Sequence, residues 1–172
     1  MDDMYALVMT RQIEVAVNDE FKPFLYPNQY VWYVEGDKAL DLGIQLSDES
    51  SDDFDFLSRV FHYVVDNISY DYDLAANVEV GYVPDSNRTL ETKKGICFDY
   101  ASLMALLLRS QNIPCKLVVG YAGVEYHAWI SVYMDGVGWL DNIIGFDGNN
   151  WSFVDPTLAS TTNAKNMKKQ SE

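Results

Sequence analysis

The chain has 172 residues, of which 48% are hydrophobic and 14% aromatic, enough for one ordinary globular domain with a buried core. Its 26 Asp and Glu against 12 Lys and Arg leave a formal net charge of −14. That charge repels nucleic-acid phosphates and anionic lipid surfaces, and so argues against both as partners.

No apolar run approaches the roughly 20 residues that cross a bilayer, so no membrane-spanning segment is expected. Met1-Asp2-Asp3-Met4 lacks the basic and apolar regions of a signal peptide. A signal already removed would leave the same reading, so the compartment stays open; an extracellular or cell-surface location is favoured in that case. Two cysteines are too few for a disulfide scaffold.

Residues 5–46 show β-like alternation, notably Ile13, Val15 and Val17 and then Tyr30 to Val34, which predicts a β-rich N-terminal extension over 1–50. Ser51-Asp52-Asp53 supplies the cap and first-turn acids of a helix. Phe54, Leu57, Phe61, Val64 and Ile68 mark its buried face. His62 falls off that stripe and reads as a solvated histidine. Residues 69–94 read as a long irregular connection, and loops beyond about 15 residues are usually functional.

A second helix is predicted from Cys97 to Arg109. Only Ser102 is polar between Ala101 and Leu108, the pattern of a helix at the centre of a domain. Asn112 and Pro114 stop it. The remainder is β: Lys116 to Tyr121, then His127 to Met134, whose alternation puts His127, Trp129, Ser131 and Tyr133 on one face. Asp135-Gly136 and Asp147-Gly148 are turn signals, and Trp151 to Val154 makes a last strand before Asp155-Pro156. The tail from 158 to 172 is polar. No repeat or linker divides the chain, so a single α+β domain is expected.

Cys97 stands where the buried helix begins. The helix dipole and the free N–H groups of the first turn favour thiolate there. Gly95 is expected to let the chain turn sharply and leave the sulfur accessible. Alone, such a cysteine reads as a small buried hydrophobe. His127, at a strand start, adds an imidazole able to take the thiol proton, and Asp155, at a strand end, a carboxylate able to orient that imidazole. Asp141 is a rival for the acid. The backbone N–H of Cys97 is a natural donor to an oxyanion, and a hydroxyl from Tyr70 or Tyr82 could be the second.

The words around these residues are specific. Gly95-Ile96-Cys97-Phe98-Asp99-Tyr100-Ala101, then Ile113-Pro114 and Val118-Val119-Gly120-Tyr121, then His127-Ala128-Trp129, then Trp151-Ser152-Phe153-Val154-Asp155-Pro156-Thr157, resemble the transglutaminase-like superfamily. The resemblance covers roughly residues 54–157, including Ile68-Ser69-Tyr70-Asp71. It implies a papain-like core, a central helix packed on an antiparallel sheet, with a catalytic region over 51–157. It also carries the roles of nucleophile, base and orienting acid onto Cys97, His127 and Asp155, and favours Asp155 over Asp141. It makes Tyr70 the better second oxyanion donor. Two features depart from the family wording. The acid often found near Ser131 is missing, and the stretch between Trp139 and Trp151 is longer than usual.

Trp129 and Tyr82 are candidates to line a substrate cleft. A disulfide between Cys97 and Cys115 is excluded, because the helix between them is about 20 Å long at about 1.5 Å per residue. Neither the histidines nor the cysteines have metal-ligand spacing, and Asp147-Gly148-Asn149-Asn150 lacks the closing Glu of a calcium loop, so no metal or cofactor is expected.

The implied activity is attack by Cys97 on a peptide or carboxamide carbonyl of a protein or peptide substrate. Water completes it as a peptidase or amidase, which is favoured; a lysine amine completes it as a cross-linking transamidase. The alternative from another class is a non-catalytic peptide- or glycan-binding module on the same fold.

Overall fold

A computed structural model of the chain describes residues 8–16, 18–122, 125–141, 144–146 and 151–153. In chain order its helices and strands are α1 (Lys38–Asp48), α2 (Asp53–Asn67), β1 (Ser69–Tyr70), α3 (Tyr72–Ala76), α4 (Ser86–Thr92), β2 (Lys94–Gly95) and α5 (Cys97–Ser110). Five strands follow: β3 (Cys115–Ala122), β4 (Glu125–Met134), β5 (Gly138–Leu140), β6 (Ile144–Phe146) and β7 (Trp151–Phe153).

The architecture follows from α5, in which every residue from Asp99 to Arg109 is buried. A helix apolar on all sides needs cover on all sides. Strands β3 and β4 pack along it, α1 and α2 cover it elsewhere, and α4 lies against it as well. One core joins Val31 to Leu140 through Leu103, Leu107 and Ile130. Strands β3, β4 and β5 form an antiparallel sheet in that order, with Gly120 opposite His127 and Val132 opposite Leu140. The fold is thus α+β, a buried helix on an antiparallel sheet.

Alternation along β4 holds as read: Ala128, Ile130, Val132 and Met134 are buried. On the opposite face, Tyr133 and the neighbouring Trp139 are capped by Phe21 and Phe24, with the Lys116 ammonium 3.6 Å from the Trp139 ring centroid. The Asp135-Gly136 turn joins β4 to β5, with Gly136 at φ +75. Strands β6 and β7 pair antiparallel, Phe146 opposite Trp151. The Asp147-Gly148 turn and the tail from residue 158 lie outside the described residues.

Helix α2 is capped by the Asp52 carboxylate, which accepts from the Asp55 N–H at 2.9 Å. Its buried stripe is Phe56, Leu57, Val60, Phe61 and Val64, with Phe54 only partly covered and His62 exposed. At the end of α5, Asn112 takes φ 62, the left-handed conformation that stops a helix. Arg109 is buried in the last turn and donates to two carbonyls, Tyr26 and Cys115, both at 2.9 Å. It ties the N-terminal segment and the entry to β3 to the same helix end.

Two expectations fail. Among the described residues the N-terminal region is not β-rich. Ile13 and Val15 are exposed and in no strand, Val17 lies outside the described residues, and Tyr30 to Val34 contributes only a bridge between Asn28 and Val31. Alternation makes a strand only where a partner edge exists. Residues 38–48 are helical instead, and Ala39, Gly43 and Leu46 face the core at helical spacing. The 69–94 connection is also not irregular. It holds two short helices capped by Asp71 and Asp85, flanked by β1 and β2.

Leu107 is fully buried in the middle of α5, whereas Val15 is 70% exposed. Truncating Leu107 to alanine is expected to cost about 2–5 kcal/mol in urea unfolding. Val15→Ala should change stability by less than about 0.5 kcal/mol.

Candidate active site

Cys97 is set in place by a two-residue parallel ladder. Ser69 pairs with Lys94 and Tyr70 with Gly95, through Ser69 N–H to Lys93 O at 2.8 Å and Asp71 N–H to Gly95 O at 2.9 Å. This register carries Tyr70 to the start of α5. The sharp turn before the ladder belongs to Lys93, at φ 56, not to Gly95. Gly95 is required for a different reason: a Cβ there would stand 2.6 Å from the Asp99 Cβ. Asp99 closes the helix start, its Oδ2 accepting from the Ile96 N–H at 2.8 Å.

The sulfur lies among donors. The backbone N–H groups of Phe98 and of Ala128, on β4, both donate to Cys97 Sγ, as does the Tyr70 hydroxyl. In turn the Cys97 N–H donates to the Tyr70 oxygen. Burial is the largest influence and pushes the Cys97 thiol above its ordinary value. The Ala128 and Phe98 N–H groups pull it back, the Asp99 charge pushes it up again, and the Tyr70 hydroxyl pulls down. The donors at the helix start pull toward thiolate, but burial and the Asp99 charge outweigh them, so the expected net preference for thiolate is reversed. Burial also pushes the Tyr70 hydroxyl up to about 12, so it remains a proton donor at neutral pH.

Cys97 and His127 line one cleft of about 580 Å³. His127 precedes the residue whose N–H reaches the sulfur, so strand β4 brings base and thiol candidates to the same mouth. Its ring runs nearly parallel to that of Trp129, centroids 6.3 Å apart. Asp155 lies outside the described residues. Its rival Asp141 follows β5 and accepts a hydrogen bond from the Ser131 hydroxyl. Ser131 is four residues along β4 from His127, roughly 13 Å at about 3.3 Å per residue. Asp141 is thus committed away from the imidazole. It also brings a carboxylate to the position on β4 where the sequence lacks one.

Tyr82 is among the residues that line the cleft. Its hydroxyl is not an oxyanion donor in this arrangement: it donates to Asp99 Oδ1 at 2.7 Å and accepts from Arg88 at 3.0 Å. Trp129 does not line the cleft. It lies one pleat farther along β4, its ring 3.2 Å from where a Cβ of Gly120 would stand. Sequence reasoning missed Tyr30, which enters the cleft from the N-terminal segment, held by the Ser102 hydroxyl on its carbonyl at 2.6 Å and a ring contact with Phe98. It also missed Asp99. The acid two residues after Cys97, at the third helical position, was the legible signal.

Among the described residues, no group of three or more His, Cys, Asp or Glu side chains could hold a metal ion, and no helix is long and apolar enough to cross a membrane. Both cysteines are free, and Cys115 is fully buried with its thiol pushed up to about 12 by burial. A thiol-alkylating probe at neutral pH is expected to modify Cys97 alone. Mass mapping should find Cys115 labelled only after denaturation.

The family model described as the transglutaminase-like superfamily matches residues 41–142, a span that contains Cys97, His127 and Asp141 but not Asp155. An uncharacterized Bacillus subtilis protein, YebA, is 27% identical over 162 residues, covering 80% of this chain and 21% of YebA. A protein-glutamine gamma-glutamyltransferase of Pseudomonas aeruginosa is 34% identical over 64 residues, 29% of this chain and 10% of that protein. Among solved structures, a candidate cysteine protease from Cytophaga hutchinsonii superposes with a TM-score of 0.57 at 21% identity, over 82% of this chain and 43% of that one. The chain spans about a fifth of YebA and less than half of the solved chain. A family match over more than half of the sequence, carried by a buried helix whose first residue is Cys97 and by a β4 strand that brings His127 to it, places this chain in the transglutaminase-like superfamily.

Proposed function

We propose that the chain is a thiol acyl-transfer enzyme acting on peptide or carboxamide bonds through Cys97, His127 and Asp155. The observation that carries this reading is the Cys97 sulfur at the start of α5, receiving the Ala128 N–H and opening with His127 into one cleft. Burial disfavours a lone thiolate there, so the charged sulfur needs a partner cation, and an imidazolium at His127 supplies it. Asp155, two residues beyond β7, is assigned to hold the imidazole in its working tautomer.

In the proposed reaction the Cys97 thiolate attacks the carbonyl carbon. The oxyanion is met by the Cys97 N–H and the Tyr70 hydroxyl, which give up the Tyr70 oxygen and the Cys97 sulfur, respectively, as acceptors. As the C–N bond breaks, His127 protonates the leaving amine and a thioester remains. Water then attacks the thioester and gives its proton to His127. The C–S bond breaks, the acid departs, and the thiolate with its imidazolium is restored.

Hydrolysis is favoured over amine transfer because an acceptor larger than water would have to share the same cleft with the acyl donor. Transamidation is the second reading, supported by the local match to the gamma-glutamyltransferase.

A glutamine-containing peptide incubated with a labelled amine tests both. The expected product is the carboxylic acid, lost in Cys97→Ala, and the alkylation midpoint of Cys97 should rise in His127→Ala, where burial acts with no imidazolium to oppose it. Predominant amine incorporation would replace hydrolysis by transamidation. An unchanged alkylation profile would remove His127 from its role. Tyr70→Phe is expected to lower kcat by about 10²–10³ with little change in KM, as loss of one oxyanion donor does.

A further inference from the structure

We infer that the cleft is a binding site for an extended acyl-donor peptide that carries apolar side chains beside the reacting amide and a lysine or arginine placed against Glu79. This rests on the proposed acyl-transfer reading and names its substrate class. The cleft has two walls. One is the turn over 78–83, which contributes Val78, Glu79 and Tyr82; the other is the β3–β4 hairpin, which contributes Val119 and Tyr126. Phe98, next to Cys97 on α5, also lines the cleft.

The apolar members are only half covered. Val78 and Val119 are each 45% exposed and Tyr126 66%. Apolar surface left wet in the cleft that holds the thiol gains from a ligand's apolar side chains. Glu79 is the one carboxylate, and there is no Lys or Arg, among the described residues lining the cleft. The nearby Asp99 is buried and already committed to the Ile96 N–H and the Tyr82 hydroxyl. An acidic peptide meets Glu79 and a chain of net charge −14, whereas a cationic side chain is attracted by both.

The first wall is built before ligand arrives. Glu79 O accepts from the Tyr82 N–H at 3.2 Å, with Gly81 at φ +88, the arrangement of a type II turn. Tyr82 then locks this turn to the nucleophile helix through Asp99 at 2.7 Å, and Arg88 braces the same hydroxyl at 3.0 Å. A wall tied to the helix that carries Cys97 keeps Val78 and Glu79 at a set distance from the sulfur. Little further ordering is then needed on binding.

The test is fluorescence anisotropy of labelled peptides on the Cys97→Ala chain, so that no turnover intervenes. Three glutamine-centred peptides of equal length are compared: leucine-flanked with a lysine, the same with glutamate in place of lysine, and the lysine peptide with serines in place of leucines. Replacing the leucines should weaken binding by about tenfold or more. The lysine-to-glutamate change should cost about fivefold, the scale of an exposed ion pair. Glu79→Lys should reverse the charge preference and keep the leucine preference, with Glu79→Gln intermediate. Equal binding of all three peptides, binding of none, or an unaltered order in Glu79→Lys would overturn the proposal. Alkylation of Cys97 in the unmodified chain separates the two readings. A reactive thiol without peptide discrimination refutes only the specificity, and discrimination with an inert thiol refutes only the catalysis.

Discussion

The start of a fully buried helix is the constraint on which the rest of the structure turns. The first N–H groups of any helix have no partner within it, and burying them unpaired costs free energy. At the start of α5 three of these N–H groups are met by something that also shapes the cleft. The N–H of Ile96 goes to Asp99, that of Cys97 to the Tyr70 oxygen, and that of Phe98 to the Cys97 sulfur. Satisfying a helix end and lining the cleft around the thiol are here the same act.

That economy sets two forces against each other at the sulfur. Backbone donors and the Tyr70 hydroxyl favour a negative charge, while burial and the Asp99 carboxylate oppose it, and burial is the larger. A thiol held this way is quiet until a cation joins it, which is the role proposed for His127. Asp99 is the less obvious element. Its charge disfavours thiolate, yet it closes the helix start and anchors Tyr82, so the wall of the cleft is tied to the helix.

Legibility varied with the range of the signal. Helices α2 and α5 and strands β3 and β4 could be read because their apolar patterns are long and their caps local: Asp52 before α2, Asn112 after α5. Helix α1 was misread as β, since a mixed pattern around Ala39, Gly43 and Leu46 becomes helical only when it has α5 to lie on. The segment between α2 and α5 was misread as irregular because β1 and β2 are two residues each and pair across more than twenty residues of chain. Gly95 was correctly singled out but for the wrong reason. Its need is a close approach to Asp99, which backbone flexibility alone does not foretell.

The sequence by itself determined the superfamily, the buried helix, the thiol at its start and the imidazole at the head of a strand. These are local words and periodicities, written in contiguous residues. Only the tertiary structure decided what surrounds that thiol. It brought Tyr70 through a two-residue ladder, set Ala128 N–H on the sulfur, took Asp141 to Ser131 and Tyr82 to Asp99, and drew Tyr30 in from a segment that carried no motif. Such partners are chosen by non-local geometry and by the cost of leaving buried polar groups unpaired, neither of which is spelled in neighbouring residues.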